Sequence, residues 1–203
     1  MQKIMFSDAF GLTQAVLEGR KTMTRRLCSD TELRKLKSSK DFFCMKCTDD
    51  EYITKHLSQY QYSLVSRYSH GEVVAVAQSY NDIYAELKRT HGSSSSITRD
   101  FFHKYIQGGR MPVSNKMFVK SELMLHQIKI TDIKVERLQD ISESDAKNDS
   151  GCTEKNGCFF INGINTKFDT AKDAFQVLID KLSGKGTYKS NPFVFVYKFL
   201  LIK

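Results

Sequence analysis

The apolar positions of this chain switch between helical and strand spacing. Leu12, Ala15 and Val16 recur at helical spacing between Asp8 and Glu18. Asp8 stands where an N-cap is expected, and Gly19 where a helix ends on positive φ. Lys3 to Phe6 reads as a short strand before this helix. Thr31 to Lys37, with Leu33 and Leu36 three apart, predicts a short amphipathic helix. The unbroken run Val73 to Ala77, inside Gly71 to Ser79, is the pattern of a strand buried on both faces. A helix from Ile83 to Arg89 follows, then the loop Gly92 to Ser96. Phe101, Phe102, Tyr105 and Ile106 predict a second short helix ended by Gly108-Gly109.

Further strands are expected from Asn115 to Lys120, Met124 to Ile130 and Ile133 to Leu138. In the second of these, His126, Ile128 and Ile130 share one face, with Leu125, Gln127, Lys129 and Thr131 on the other. Ser142 is placed to cap a helix containing Asp145 and Ala146 that runs out by Ser150-Gly151. Phe159 to Ile161, followed by Asn162-Gly163, reads as a hairpin. Asp169 or Thr170 caps a helix through Leu182 whose stripe is Ala171, Ala174, Phe175, Leu178, Ile179 and Leu182. Phe193 to Ile202 is the last strand, and no internal repeat is visible.

Composition narrows the partners more than the fold. A chain of 203 residues with 40% apolar residues is globular and fits one domain with insertions. The net charge of +8 and pI near 9.2 favour acidic partners, nucleic acid before an anionic membrane. No run approaches the roughly 18 apolar residues of a membrane span, and no secretory leader is visible. The expectation is a cytoplasmic protein with free thiols among its five cysteines. Cys44-Met45-Lys46-Cys47 is half of a zinc pattern. Its second half would need Cys152 with Cys158, or Cys28 with His56 or His70, and neither spacing is that of a zinc knuckle. No metal and no cofactor are expected.

The densest chemistry lies in Gly19-Arg20-Lys21-Thr22-Met23-Thr24-Arg25-Arg26, where four of eight residues are cationic. Such a cluster suits an anion, because arginine forks and threonine hydroxyls match phosphate oxygens. Its plainer reading is a solvated basic turn. Tyr52, Tyr60, Tyr62 and Tyr68 read first as packing residues and second as rings on which bases stack. His103 reads as a surface or packing histidine.

The octet GRKTMTRR after a short helix resembles the signature of ASCH domains. Val135-Glu136-Arg137-Leu138-Gln139-Asp140-Ile141-Ser142-Glu143-Ser144-Asp145-Ala146 and Asn191-Pro192-Phe193-Val194-Phe195-Val196-Tyr197 resemble two further segments of the bacterial and phage type, in the same order. The resemblance implies an α+β fold: a single PUA-like β-barrel of mostly antiparallel strands, with surrounding helices and insertions at about 28–68 and 81–114. It also implies a link to RNA. Relatives carry a glutamate before a Thr-aromatic pair where this chain reads Gln78-Ser79-Tyr80, and an amide cannot act as a base.

Some ASCH-like proteins are amidohydrolases that remove an acyl group from N4 of cytidine. The resemblance maps their catalytic positions onto Lys21, Thr24 and Asp149, the last a glutamate in relatives. It leaves Arg20, Arg25, Arg26, Gln78 and Tyr80 as substrate-binding residues. Positions 21 and 24 of a straight strand point to opposite faces, so cooperation requires a turn or bulge in the octet. The reading favoured by sequence is an RNA- or nucleoside-binding domain whose basic cleft is built on the octet. The alternatives are an amidohydrolase using Lys21, Thr24 and Asp149, and a phage or mobile-element accessory protein that binds another protein.

Overall fold

The computed structural model describes residues 1–38, 47–108 and 112–202. The chain is α+β. Its strands are β1 (Lys3–Ile4), β2 (Met23–Leu27), β3 (Val73–Val76), β4 (Gln127–Arg137), β5 (Thr153–Lys155), β6 (Cys158–Phe160) and β7 (Phe193–Leu201). The α-helices among the described residues are α1 (Leu12–Leu17), α2 (Asp30–Ser38), α3 (Asp49–Glu51), α4 (Gln59–Val65), α5 (Tyr80–His91), α6 (Ser96–Phe101), α7 (Glu143–Ser150), α8 (Ala171–Ser183) and α9 (Thr187–Ser190).

Five strands form a mixed sheet in the order β1-β3-β4-β7-β2, and β5 and β6 form a separate pair. β1 runs parallel to β3, and β2 runs antiparallel to β7. The order ends on β1 and β2, and among the described residues no pairing closes it into a barrel. The two strands expected between Met124 and Leu138 are one continuous strand, β4.

The chain divides into two compact units. The first comprises residues 1–6, 73–128 and 202–203. Its core joins Ala75 and Ala77 to Tyr80, Ile83 and Leu87 of α5, with Val119 and Met124. α5 starts before the apolar pattern predicts because Ser79 and Asp82 form a reciprocal capping box. Residues 116–118 form a 3₁₀ turn where a strand was expected. The Lys3 ammonium donates to the carbonyls of Lys116, Met117 and Val119, so those acceptors serve a side chain instead of a ladder.

The second unit comprises residues 7–72 and 129–201. Phe195 and Tyr197 of β7 stack on one another, and Tyr68 meets Tyr197 edge-on at 5.4 Å. Tyr52, Tyr62 and Tyr68 are each 3% exposed and Tyr60 is 72% exposed, so three of the four tyrosines are packing residues. Ser142 caps α7 by accepting from Asp145 N–H, as its sequence predicts. Glu143, one residue later, accepts from the N–H groups of Ala171 and Lys172 and so ties α7 to the start of α8. The turn expected at Asn162-Gly163 is present, with Ile164 N–H donating to Ile161 O at 3.2 Å and Phe159 bridging Phe168 antiparallel beyond it, and the β5–β6 hairpin adds a further turn at Asn156-Gly157. Both of its residues have positive φ, the requirement of the tight turn that matches strand twist.

Candidate functional site

The octet leaves α1 through Gly19, whose φ is +73°. The backbone then folds back on itself: Lys21 N–H donates to Ala15 O at 2.9 Å, and Thr22 N–H donates to Asn148 O at 3.2 Å in α7. β2 begins only at Met23. The octet therefore turns before β2, and the turn aims Lys21 at the C-terminal end of α7 without bringing Thr24 to it. Gly151 follows that end with φ +60°. A Cβ there would lie 2.6 Å from the Ala15 Cβ and 3.4 Å from the Lys21 Cβ. The close approach of α7 to the octet thus depends on a residue without a side chain.

Four buried charged side chains meet at this approach, with Asp145 and Lys134 at their edge. The Lys21 ammonium donates to Asp149 Oδ1 at 2.7 Å and to the Asp149 carbonyl. Arg25 donates from Nη1 to Asp149 Oδ2 at 2.9 Å, and from Nη2 and Nε to Glu136 Oε1 at 2.6 and 3.0 Å. Asp145 stands 3.5 Å from Arg25 Nη2, and Lys134 pairs with Glu136 Oε2 at 2.6 Å. The Arg25 guanidinium also lies over the Phe175 ring of α8 at 5.8 Å. Lys21, Arg25, Asp149 and Glu136 are all buried.

The two cations respond differently to burial. Desolvation pulls the Lys21 ammonium below its usual range. The Asp149 carboxylate opposes this without cancelling it, and Arg26 and Arg25 add to it by repulsion. Burial also acts on Arg25, but there Asp149 and Glu136 together prevail and hold its guanidinium more firmly charged. The site thus pairs a fixed cation, Arg25, with a lysine whose proton is more loosely held. Both Asp149 oxygens accept, one from each cation. The contacts therefore make Asp149 the shared hydrogen-bond acceptor of the two cations.

Not every predicted residue joins this group. Thr24 lies between Met23 and Arg25 in a β2–β7 register that is unbroken from Met23↔Lys198 to Leu27↔Val194. Its side chain therefore points to the strand face opposite Arg25, beside Tyr197. Arg20 pairs with Glu18 at 2.6 Å and donates to Gly151 O. Arg26 is exposed. Gln78 and Tyr80 belong to the other unit and have partners there. Gln78 accepts from Leu125 N–H at 2.9 Å and donates to Glu86 at 3.2 Å, while Tyr80 stacks on Tyr105 at 5.2 Å.

Sequence reasoning did not single out Glu136 or Asp145. The available signal for Glu136 was a carboxylate directly after Val135, on a half-buried strand. Among the described residues no cluster of three or more histidines, cysteines or carboxylates is placed to hold a metal ion. Cys44, half of the CxxC pattern, lies outside the described residues. Burial pushes the Cys28 thiol up to about 12 and also raises Cys152, so neither is a ready nucleophile. No helix among the described residues is long and apolar enough to cross a membrane. Compared with family models, curated proteins and solved structures, the chain matches none.

Proposed function

We propose that this protein is an ASCH-type domain of PUA-like fold that takes a nucleoside or an RNA base beside the Lys21–Asp149 pair. One observation carries the reading. The octet and the helix following the Ile141-Ser142-Glu143 segment, which the resemblance names separately, meet in a 2.7 Å contact between two buried side chains 128 residues apart. A buried lysine with lowered proton affinity, held against a carboxylate, is a common mark of a functional site. The charge of +8 supports an acidic or nucleotide-like ligand. The sheet order and its antiparallel β2–β7 pair are compatible with a barrel-derived core.

The octet does not grip phosphate with all its cations in this reading. Lys21, Arg25 and Arg20 already serve carboxylates, and Arg26 is exposed. A nucleoside or single base therefore suits the site better than a long phosphate track.

Hydrolysis of an N4-acylated cytidine is the second reading, favoured by the loosely held Lys21 proton. Water adds to the acyl carbon and gives its proton to Asp149. The C–N bond then breaks, and the departing amine takes a proton from Lys21, which recovers one from Asp149. Thr24, on the other face of β2, is not needed as nucleophile. The test is incubation of purified protein with N4-acetylcytidine, read by chromatography for cytidine and by calorimetry for binding. Turnover lost in Lys21→Met and Asp149→Asn establishes the hydrolase. Binding without turnover establishes recognition alone, and neither result in the wild type defeats both readings.

A further inference from the structure

The first unit carries a surface that the reading above does not use. α5 presents Tyr80, Tyr84 and Lys88 at four-residue spacing on one face. Against it runs α6, continued by a π-helix over Phe102–Gln107. π-Helical turns are rare and concentrate at functional positions. The turn sets Phe102 against Tyr84 at 5.3 Å, and sets Tyr105 against Phe101 at 4.9 Å and Tyr80 at 5.2 Å. Tyr80 closes this layer toward the core, while Tyr84, Phe102 and Tyr105 stay half-exposed. The result is a row of rings with one side packed and the other at the surface.

Lysines stand on this row. Lys88 Nζ lies 5.5 Å from the Tyr84 ring centroid and Lys104 Nζ lies 5.2 Å from that of Tyr105. Both lysines are exposed, and neither forms an ion pair among the described residues. The neighbouring carboxylates of α5 are engaged elsewhere. Asp82 accepts from Ser79 at the helix start, and Glu86 accepts from Gln78 and His126 and pairs with Arg89. The rings are thus paired with positive charge that has no carboxylate partner.

We infer that the α5/π-helix surface of Tyr84, Lys88, Phe102, Lys104 and Tyr105 is a stacking platform for single-stranded nucleic acid. A base has an aromatic face to lay on Tyr84 or Phe102, and its flanking phosphates answer the two ammonium groups. A base stacked on a ring outweighs an exposed lysine resting there, so the lysine is displaced to the backbone phosphate. Stacking tolerates any base, so the platform binds without strict sequence preference. It is built within the first unit and does not rest on the Lys21–Asp149 site.

The test uses the full chain and a fluorescein-labelled oligouridylate of about twelve nucleotides, within the usual site size, read by anisotropy over a salt series. The wild type is expected to bind, with affinity falling as salt rises. Phe102→Ala and Tyr84→Leu each weaken binding about tenfold, the loss of one stacked base, while Tyr84→Phe keeps it. Lys88→Gln with Lys104→Gln flattens the logarithmic salt slope by roughly 1.4, two phosphate contacts on a single strand. These two lysines are on the surface, so the double variant reports even if a ring variant fails to fold. N4-Acetylcytidine binding stays unchanged in all of them, which separates this platform from the other site. The proposal is overturned if the wild type does not bind the oligonucleotide. It is equally overturned if the lysine variant keeps the wild-type salt slope.

Discussion

Each unit of the molecule holds a cluster of charged and polar side chains, and the two are built on similar contacts with opposite consequences. In the second unit Lys21 meets Asp149 at 2.7 Å, with side-chain exposures of 2% and 6%. In the first unit His126 meets Glu86 at 2.8 Å, with both side chains 19% exposed. Distance alone would rank them as equals. Burial separates them, because the interaction between two charges grows as solvent screening is removed, and so does the cost of leaving one unpaired. The buried cluster also carries surplus partners: Arg25 holds Asp149 and Glu136 together, and Lys134 holds Glu136 from its other oxygen. Stronger interdependence is therefore expected in the buried cluster than in the partly exposed one, where Glu86 also serves Gln78 and Arg89.

The sharpest way to break the comparison is to remove the shared acceptor. Asp149→Ala leaves Lys21 and Arg25 buried with one carboxylate fewer, and is expected to cost about 3–5 kcal/mol of stability. Urea denaturation of the variant beside the wild type measures it. A loss below about 1 kcal/mol would mean that water reaches the cluster, and would sink the contrast. Glu136→Gln comes next. It keeps the shape and removes the charge that Arg25 and Lys134 share, for an expected loss of about 1.5–3 kcal/mol by the same measurement.

How far sequence reached follows the same division. Elements set by local chemistry were legible. Ser142 and Thr170 cap their helices, Gly19 has positive φ, and the helix of Ala171, Phe175 and Leu178 is buried on that stripe. Of the two Asn-Gly pairs in the chain, the turn at Asn162-Gly163 was legible, while the β5–β6 hairpin turn at Asn156-Gly157 was overlooked. At Gly163 a Cβ would run into Ala9 O, so that glycine serves a close approach as well as its turn. In the site, Lys21 with Asp149 was legible through resemblance. Glu136 as the partner of Arg25 was not, since periodicity gives no sign of which buried strand position tolerates a carboxylate. The two units were also not legible, because the first gathers residues 1–6 with 73–128 and no linker composition marks the joins.

Lys21 gives a prediction in pH. Its folded-state ammonium is disfavoured, so over the alkaline range below its ordinary value of 10.5 the unfolded chain binds more protons at this residue than the folded one. Stability attributable to Lys21 therefore rises as pH increases toward 10.5. Tyr62 and Tyr197 act in the opposite sense, because burial raises both to about 12 and their neutral form favours the fold. That contribution is lost as pH climbs above the unfolded tyrosine value. The difference between wild type and Lys21→Met, measured by denaturation at several alkaline pH values, isolates the lysine. It should change in favour of the wild type with increasing pH, and a flat difference would show that Lys21 is as readily protonated inside as outside. Asp149 keeps Arg25 in this variant, so the offset at neutral pH should stay below about 2 kcal/mol.

The smallest effect belongs to the half-exposed pair. With the His126 imidazole protonated, a double-mutant cycle of His126→Gln and Glu86→Gln is expected to give a coupling of about 0.2–1 kcal/mol, decreasing with added salt. The matching cycle of Lys21→Met and Asp149→Asn should give a larger coupling that salt barely alters, since its charges are out of reach of screening ions. Equal couplings with equal salt dependence would show that both clusters feel the same effective dielectric. In that case the 2.7 Å contact at Lys21 would be an ordinary surface pair in energy. The loosely held proton that makes Lys21 a candidate for chemistry would then have no physical source, because desolvation is the leading cause of its shift.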